Sequence, residues 1–586
     1  MPASIPLTLA LLGVSALGPG LIVVRGLRWS ALERLAAAVG VSLLVVYLAS
    51  FALFVSHSDP RWAWGLSLLA LAALGGSAGV LRRLAASRRV RRTAIAALCI
   101  AIWVLALLAI VRSYSGGGWS GDWVEHYERS LFFLERKDPA TRFIGDYGLT
   151  ARPPMMNVLA AHILAQSGSD FYLFQVVFAA LNSLSFLPCT LLLTPLGARR
   201  HRAVVTLGCL LALSPMFVEN ATYSWTKQLS AFYVLLGTAL YLRGRDRVSP
   251  SRRVAAFVAL AAGCLVHYSA VPYALVLGVH YLVGSLRAPR RRREAAATCL
   301  LAGLIVASWV GWAATTLGAR ATFAANPTVE DSAGLSALQF LARAAGNVAT
   351  TVVPHPLRRD RTAEFFGAGG SLGSTRDYFF LLYQSSFPAA LGCAGLIAVT
   401  AIAWRAGAGR RRHLAPRSLR AERVRRDSRF WLGYAVPSAL LGIATFHMDE
   451  SFGVAQIVLQ PLVLAGLALA AARLPALPAG VRFAAVAGAA ADAALGIGLQ
   501  FAAQSADYSP FVTTLPSPQR REVGMALLGS AVPHNAAMKL HHGYVFLGDL
   551  AAGAQPALFL ALALGCGAIL ATLFASLSGA NRPGRL

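Results

Sequence analysis

Acidic residues are scarce in this sequence. Asp and Glu number 25 in 586 residues, against 53 Lys and Arg. Charged residues of both signs reach only 13%, well short of the ~25% of a water-soluble domain. A chain so poor in charge has too little polar surface to cover itself in water. Cysteine is also sparse. The seven residues Cys99, Cys189, Cys209, Cys264, Cys299, Cys393 and Cys566 all lie in or beside apolar runs. None forms a CxxC pair or another metal-ligand spacing, so neither a disulfide framework nor a zinc site is indicated. Lysine is almost missing. Lys227 is the only one between Lys137 and Lys539.

Long apolar runs fill the space that charge leaves. The chain is 56% hydrophobic, with a mean hydropathy of +0.59. Runs of about 18 residues or more recur, each near the ~20 residues of a membrane crossing. They predict spans at 5–25, 35–56, 62–82, 94–112, 171–196, 203–218, 228–243, 254–267, 270–286, 295–316, 386–405, 430–447, 452–471, 482–500 and 554–577. Residues 1–20 carry no basic leader region or clear cleavage site, so the first run is expected to be retained as a span.

The basic excess follows the spans. Arginine clusters at 82–92, 199–202, 243–253, 287–293 and 405–429 all fall on one side in this count. Most of the acids fall on the other. The pattern is that of a positive inner face that meets anionic lipid, with the N-terminus outside and the C-terminus inside. Nucleic acid is not the expected partner. Outer loops at 113–170, 317–385 and 501–553 hold most of the acids and aromatics. Six parts result: extra spans at 1–93, a core at 94–316 that includes the first outer loop, the second outer loop at 317–385, further spans at 386–500, the third outer loop at 501–553, and a last span and tail at 554–586.

The first outer loop is the richest in chemistry. In the run Asp122-Trp-Val-Glu-His-Tyr-Glu-Arg129, helical spacing puts Asp122, Glu125 and Arg129 on one face, with His126 beside them. Trp123, Tyr127, Leu131 and Leu134 form the opposite stripe. Such a helix is expected to lie on the membrane surface, aromatics down and carboxylates up. Asp122 is a candidate general base, with Glu125 or Asp146 assisting. The structural alternative is a D-x-x-E capping box at Asp122 and Glu125, and an Asx-turn at Asp146. Arg152-Pro153-Pro154 opens the next apolar helix, where Arg152 would meet a phosphate or snorkel to the head groups.

Other candidates are scattered. Lys227, set in Tyr223-Ser-Trp-Thr-Lys-Gln228, suits a lipid phosphate. His267 and Tyr268 suit phosphate or sugar hydroxyls. Arg320, His355, Arg358, Arg359, Arg361, Arg376 and Asp377 stand in the second outer loop, and His534, Lys539, His541, His542, Tyr544 and Asp549 in the third. His447, Asp449 and Glu450 end another span. The three third-loop histidines fit no standard zinc spacing. Asp492 is an acid inside an apolar run, which by default marks function. Its isolation counts against an ion-coupled carrier.

These residues resemble the GT-C superfamily of polytopic glycosyltransferases, which includes protein O-mannosyltransferases, the aminoarabinose transferase of lipid A and oligosaccharyltransferases. Their first large outer loop opens on an acidic motif of the form Asp-Glu-x-x-Tyr or Asp-Glu-x-His-Phe, followed by a Pro-Pro segment. Asp122 stands for the Asp, Glu125-His126-Tyr127 is similar to the rest, and Arg152-Pro153-Pro154 is similar to the Pro-Pro segment. The Asp and Glu are adjacent in the family and three apart here. The apolar runs predict an all-α polytopic integral membrane protein of about fifteen transmembrane helices, to which the resemblance adds a GT-C-like core and outer-face juxtamembrane helices. The resemblance also implies a sugar donor on a polyprenyl phosphate, a cell-envelope acceptor, and inverting transfer at the periplasmic face of a bacterial cytoplasmic membrane. Under it His126, Tyr127, Arg152, Lys227, His267, Tyr268, Arg320 and His542 are the expected substrate contacts. Metal use differs within the superfamily, so a divalent ion is neither required nor dismissed. The alternatives are a polyprenyl-diphosphate-dependent polymerase or ligase, a lipid or polysaccharide transporter, and a non-catalytic scaffold.

Overall fold

The computed structural model describes residues 4–114, 122–143, 147–194, 196, 202–324, 334–358, 372–410, 419–446, 453–505 and 543–578. Their regular structure is helical, with no strand among the described residues. The architecture is all-α, as expected, and it is that of a multi-pass membrane protein.

Helices α1 (Ser4–Val24) and α2 (Ala31–Val55) pack tightly as an antiparallel pair. Gly20 makes the approach possible: a Cβ there would run into the Ala38 carbonyl, and its N–H donates to Ser42 Oγ at 2.7 Å. Next come α3 (Trp62–Gly76) and α4 (Ala78–Ala86), bent by 59° at one break. The helix α5 (Arg88–Leu108) starts in arginines and turns apolar. The next helix in the chain is α6 (Asp122–Glu135). The 21 residues of α5, about 31 Å at 1.5 Å per residue, therefore separate a basic end from the end that leads to α6.

The core surrounds α12 (Lys227–Asp246), which is buried along nearly its whole length. An all-round apolar helix is stable only inside other helices. Those are α8 (Phe171–Ser183), α9 (Phe186–Leu192) and α13 (Pro250–Val266). Between them run α7 (Met155–Ser167), α10 (Arg202–Ala212) and α11 (Pro215–Thr222). The last two are bent by 67° where Ser214 caps a helix that starts on Pro215. Then follow α14 (Val271–Leu286) and α15 (Pro289–Thr316).

Some of the clustered arginines are structural. Glu33, 1% exposed, accepts Arg252 Nε at 3.0 Å and lies 3.2 Å from Arg243 Nη1. Arg253 Nε reaches Glu294 at 2.7 Å. Together these pairs tie α2, α12, α13 and α15 at their arginine-rich ends. A buried carboxylate needs such partners to stay charged.

Among the described residues every expected span overlaps helix, but fewer than the expected fifteen are long enough to cross. Eight helices among the described residues are long and apolar enough to cross a membrane, or ten if each bent pair is one span. The remaining runs are shorter, or carry polar residues that face protein instead of lipid. In α12, for example, Lys227, Gln228 and Ser230 are all buried.

Candidate active site

The site is built where α6, the turn before α7 and the start of α12 converge. Asp122 is the first residue of α6. One of its oxygens, Oδ1, accepts Arg152 Nη2 at 3.1 Å. The other, Oδ2, accepts the Trp225 indole N–H at 2.9 Å and lies 3.8 Å from Lys227 Nζ. Its side chain keeps 18% exposure.

Glu125, one turn on, is 1% exposed and sits between two guanidiniums. Arg129 Nε donates to it at 2.8 Å and Arg152 Nη2 at 3.2 Å. The pair at Glu125 and Arg129 has the i, i+4 spacing that makes such residues neighbours. Arg129 spends its other donors on backbone: Nη1 to Leu149 O at 2.7 Å and Nη2 to Gly148 O at 2.9 Å. It also lies over the Phe143 ring, 4.3 Å from its centre. Arg129 thereby pins the turn that presents Arg152.

This arrangement corrects the expected surface helix. Glu125, His126 and Arg129 are as buried as Trp123 and Tyr127. Trp123 packs on Phe171, Phe546 and Tyr114, so its cover is protein and not lipid. The polar face turns inward because two cations, Arg152 and Lys227, meet it there, and paired charge can be buried where lone charge cannot. The capping box is not realised either. Both Glu125 oxygens go to guanidiniums, and both Asp122 oxygens go to Arg152, Trp225 and Lys227.

Burial alone would raise the Glu125 carboxyl, but Arg152 and Arg129 outweigh it and hold it down at about 2. Burial draws Arg152 down, and the two carboxylates outweigh that and raise it well above its ordinary value. Burial pulls His126 down to about 4, so its ring is neutral near pH 7. Two carboxylates against Arg129, Arg152 and Lys227 leave one positive charge.

Lys227 is 4% exposed. Its ammonium donates to Gln456 at 2.7 Å and stands 3.9 Å from the Trp225 ring centre. His267 ends α13 and accepts the Ser269 N–H on Nδ1 at 3.1 Å. Its proton is thereby placed on Nε2, which is buried and unpartnered among the described residues. Tyr268 OH is 3.4 Å from Arg152 Nη1. His126 Nδ1 and Asn157 Oδ1 are likewise buried without a partner among the described residues.

Of the expected site residues, Asp122, Glu125, His126, Arg152, Lys227, His267 and Tyr268 come together. Tyr127 lies on the outer side of α6, where its hydroxyl donates to the Ser169 carbonyl. Arg320 is exposed on the short helix Ala319–Phe323. Asp146 and His542 lie outside the described residues, as do His534, Lys539, His541, Arg359, Arg361, His447, Asp449 and Glu450. Among the described residues no group of three or more His, Cys, Asp or Glu could hold a metal ion.

Three contributors escaped sequence reading. Arg129 was legible only as a member of the face, although its spacing from Glu125 marked a pair. Trp225 stood in the sequence only as a neighbour of Lys227. Gln456 carried no signal, because its contact with Lys227 spans 229 residues. Asp492, by contrast, is a helix cap. Its carboxylate accepts Cys393 N–H at 2.9 Å and Ala394 N–H at 3.2 Å, at the start of Gly392–Arg410.

Neither a protein family nor a curated protein matches the chain. Two solved structures of ArnT from Cupriavidus metallidurans are similar to it. One is bound to undecaprenyl phosphate, with a TM-score of 0.40; the other is in the apo state, with a TM-score of 0.37. Each is 17% identical, over 83% of this chain and 77% of the other. The likeness is weak, and it decides neither family nor reaction.

Proposed function

We propose that the protein is an inverting glycosyltransferase. It moves a sugar from a polyprenyl-phosphate donor to a lipid, glycan or protein of the cell envelope, at the periplasmic face of a bacterial cytoplasmic membrane. The observation that carries this reading is the partly exposed Asp122 carboxylate, which lies between Arg152 and Lys227. A base and a cationic clamp stand side by side at the end of α5 away from its arginines.

The chemistry needs little more. An acceptor hydroxyl attacks the anomeric carbon and gives its proton to Asp122. The bond from that carbon to the phosphate oxygen breaks, and its electron pair leaves with the polyprenyl phosphate. Arg152 and Lys227 stabilise the departing charge. Attack opposite the leaving group inverts the carbon. The unpartnered Nε2–H of His267 and the carbonyl oxygen of Asn157 are suited to sugar or phosphate oxygens. An apolar groove of about 850 Å³ between α5, α10 and Gln555–Ser578, lined by Trp103 and Ile110 among others, suits the isoprenoid tail. A carrier reading loses its motive, since Asp492 caps a helix.

The test is transfer of radiolabelled sugar by membranes that hold wild type or Asp122→Asn, with a panel of polyprenyl-phosphate sugars. Transfer by wild type and its loss in a folded Asp122→Asn support the reading. Full activity in the variant removes Asp122 from the chemistry.

A further inference from the structure

The two carboxylates of the cluster are held unequally. Glu125 is 1% exposed, and it meets Arg152 through Nε at 3.3 Å and Nη2 at 3.2 Å, and Arg129 besides. Asp122 is 18% exposed and meets Arg152 through one nitrogen at 3.1 Å. Its contact with Lys227 is looser still, at 3.8 Å. Arg152 is therefore held by Glu125 through Nε and Nη2, while the same Nη2, shared between the two carboxylates, and the Lys227 ammonium both reach the one of the two that solvent reaches. An anion that enters from solvent meets those two cations already aimed at an anion.

We propose that the Asp122 carboxylate fills the phosphate-binding position of the empty enzyme and is displaced from Arg152 and Lys227 when the donor phosphate binds. This rests on the reading of Arg152 and Lys227 as the phosphate clamp. The donor phosphodiester offers one free oxygen to each cation, whereas the carboxylate also serves Trp225, and the polyprenyl phosphate left after transfer offers a third oxygen. Glu125 stays in place and keeps Arg152 aimed. In the empty state the base is tied to two cations. Loading the donor hands those cations to phosphate and leaves Asp122 to the acceptor hydroxyl. Donor binding thus precedes activation of the acceptor.

The experiment is binding of a polyprenyl phosphate to the purified full-length protein in lipid nanodiscs, with the uncharged prenol of equal length as the comparison. Wild type is expected to prefer the phosphate. Asp122→Asn and Asp122→Ser both keep a polar side chain and lose the competing charge. Either is expected to bind the phosphate roughly twofold to fivefold more tightly, the range a partly exposed ion pair supports, with prenol binding unchanged. Glu125→Gln is not expected to share the gain, because Arg152 loses its anchor. Thermal unfolding of each variant shows which are folded. If wild type prefers phosphate and neither Asp122 variant gains, the displacement is wrong and the clamp stands. An equal gain in Glu125→Gln also overturns it, since the effect is then one of overall charge. If wild type shows no preference for phosphate over prenol, the clamp fails and the displacement with it.

Discussion

Trp225 donates its indole N–H to Oδ2 of Asp122 at 2.9 Å, across 103 residues of chain. The same indole carries Lys227 over its face and stacks on Tyr223 with ring centres 4.0 Å apart. One side chain therefore orients the candidate base and seats the candidate phosphate ligand. Trp225→Phe keeps most of the ring packing and removes the hydrogen bond. Transfer is expected to fall about tenfold, the worth of one hydrogen bond to a charged group. The kinetics of the folded variant check it.

Arg129 is expected to matter without touching substrate. Arg129→Gln leaves Glu125 buried with one fewer cation and frees the turn at Gly148 and Leu149. Breaking a buried pair by removing one partner costs about 3–5 kcal/mol. Thermal unfolding should show that loss. Because Arg152 loses its positioning, KM for the donor should rise more than kcat falls. Arg129→Lys should recover part of the stability but not the bidentate hold on the turn.

The protein should lose stability in acid through its buried imidazoles. His126 and His162 are both drawn down by burial to about 4, from an ordinary value of 6.5. A lowered value means the folded state binds the proton less readily than the unfolded chain. Their contribution is complete above about 6.5 and is lost as pH falls towards 4. Glu125, held at about 2, adds a second loss from its ordinary 4.5 downward. Unfolding midpoints in detergent between pH 7.5 and 4 should fall, and His126→Phe should flatten the upper part of that slope. An unchanged slope assigns it to other groups.

Asp492 should be a stability residue only. Asp492→Ala strips the cap from Gly392–Arg410 and should cost about 1–2 kcal/mol. Asp492→Asn should cost less, since its carbonyl oxygen still accepts. Gly392 stands at φ +68°, and a Cβ there would lie 2.7 Å from an Asp492 oxygen. Gly392→Ala should therefore destabilise as well. Transfer per folded molecule should survive in all three. Loss of transfer in folded Asp492→Asn would give the residue a role in function.

Much of this molecule was determined by local sequence. Apolar runs, arginine clusters and the Pro-Pro turn are short-range signals, because a membrane span, a positive flank and a helix start each need only neighbouring residues. They sufficed for an all-α membrane chain. Helical spacing likewise put Asp122, Glu125 and Arg129 on one face, and it was right. What that face meets was decided by tertiary structure. Only packing turned it inward, because the charges that make burial tolerable come from Arg152 in a later turn and Lys227 at the start of α12. The same holds for Asp492, whose partners are backbone N–H groups about 98 residues away, invisible to any reading of side-chain types. Periodicity tells which residues share a face. Only the fold tells whether that face finds water, lipid or an opposite charge.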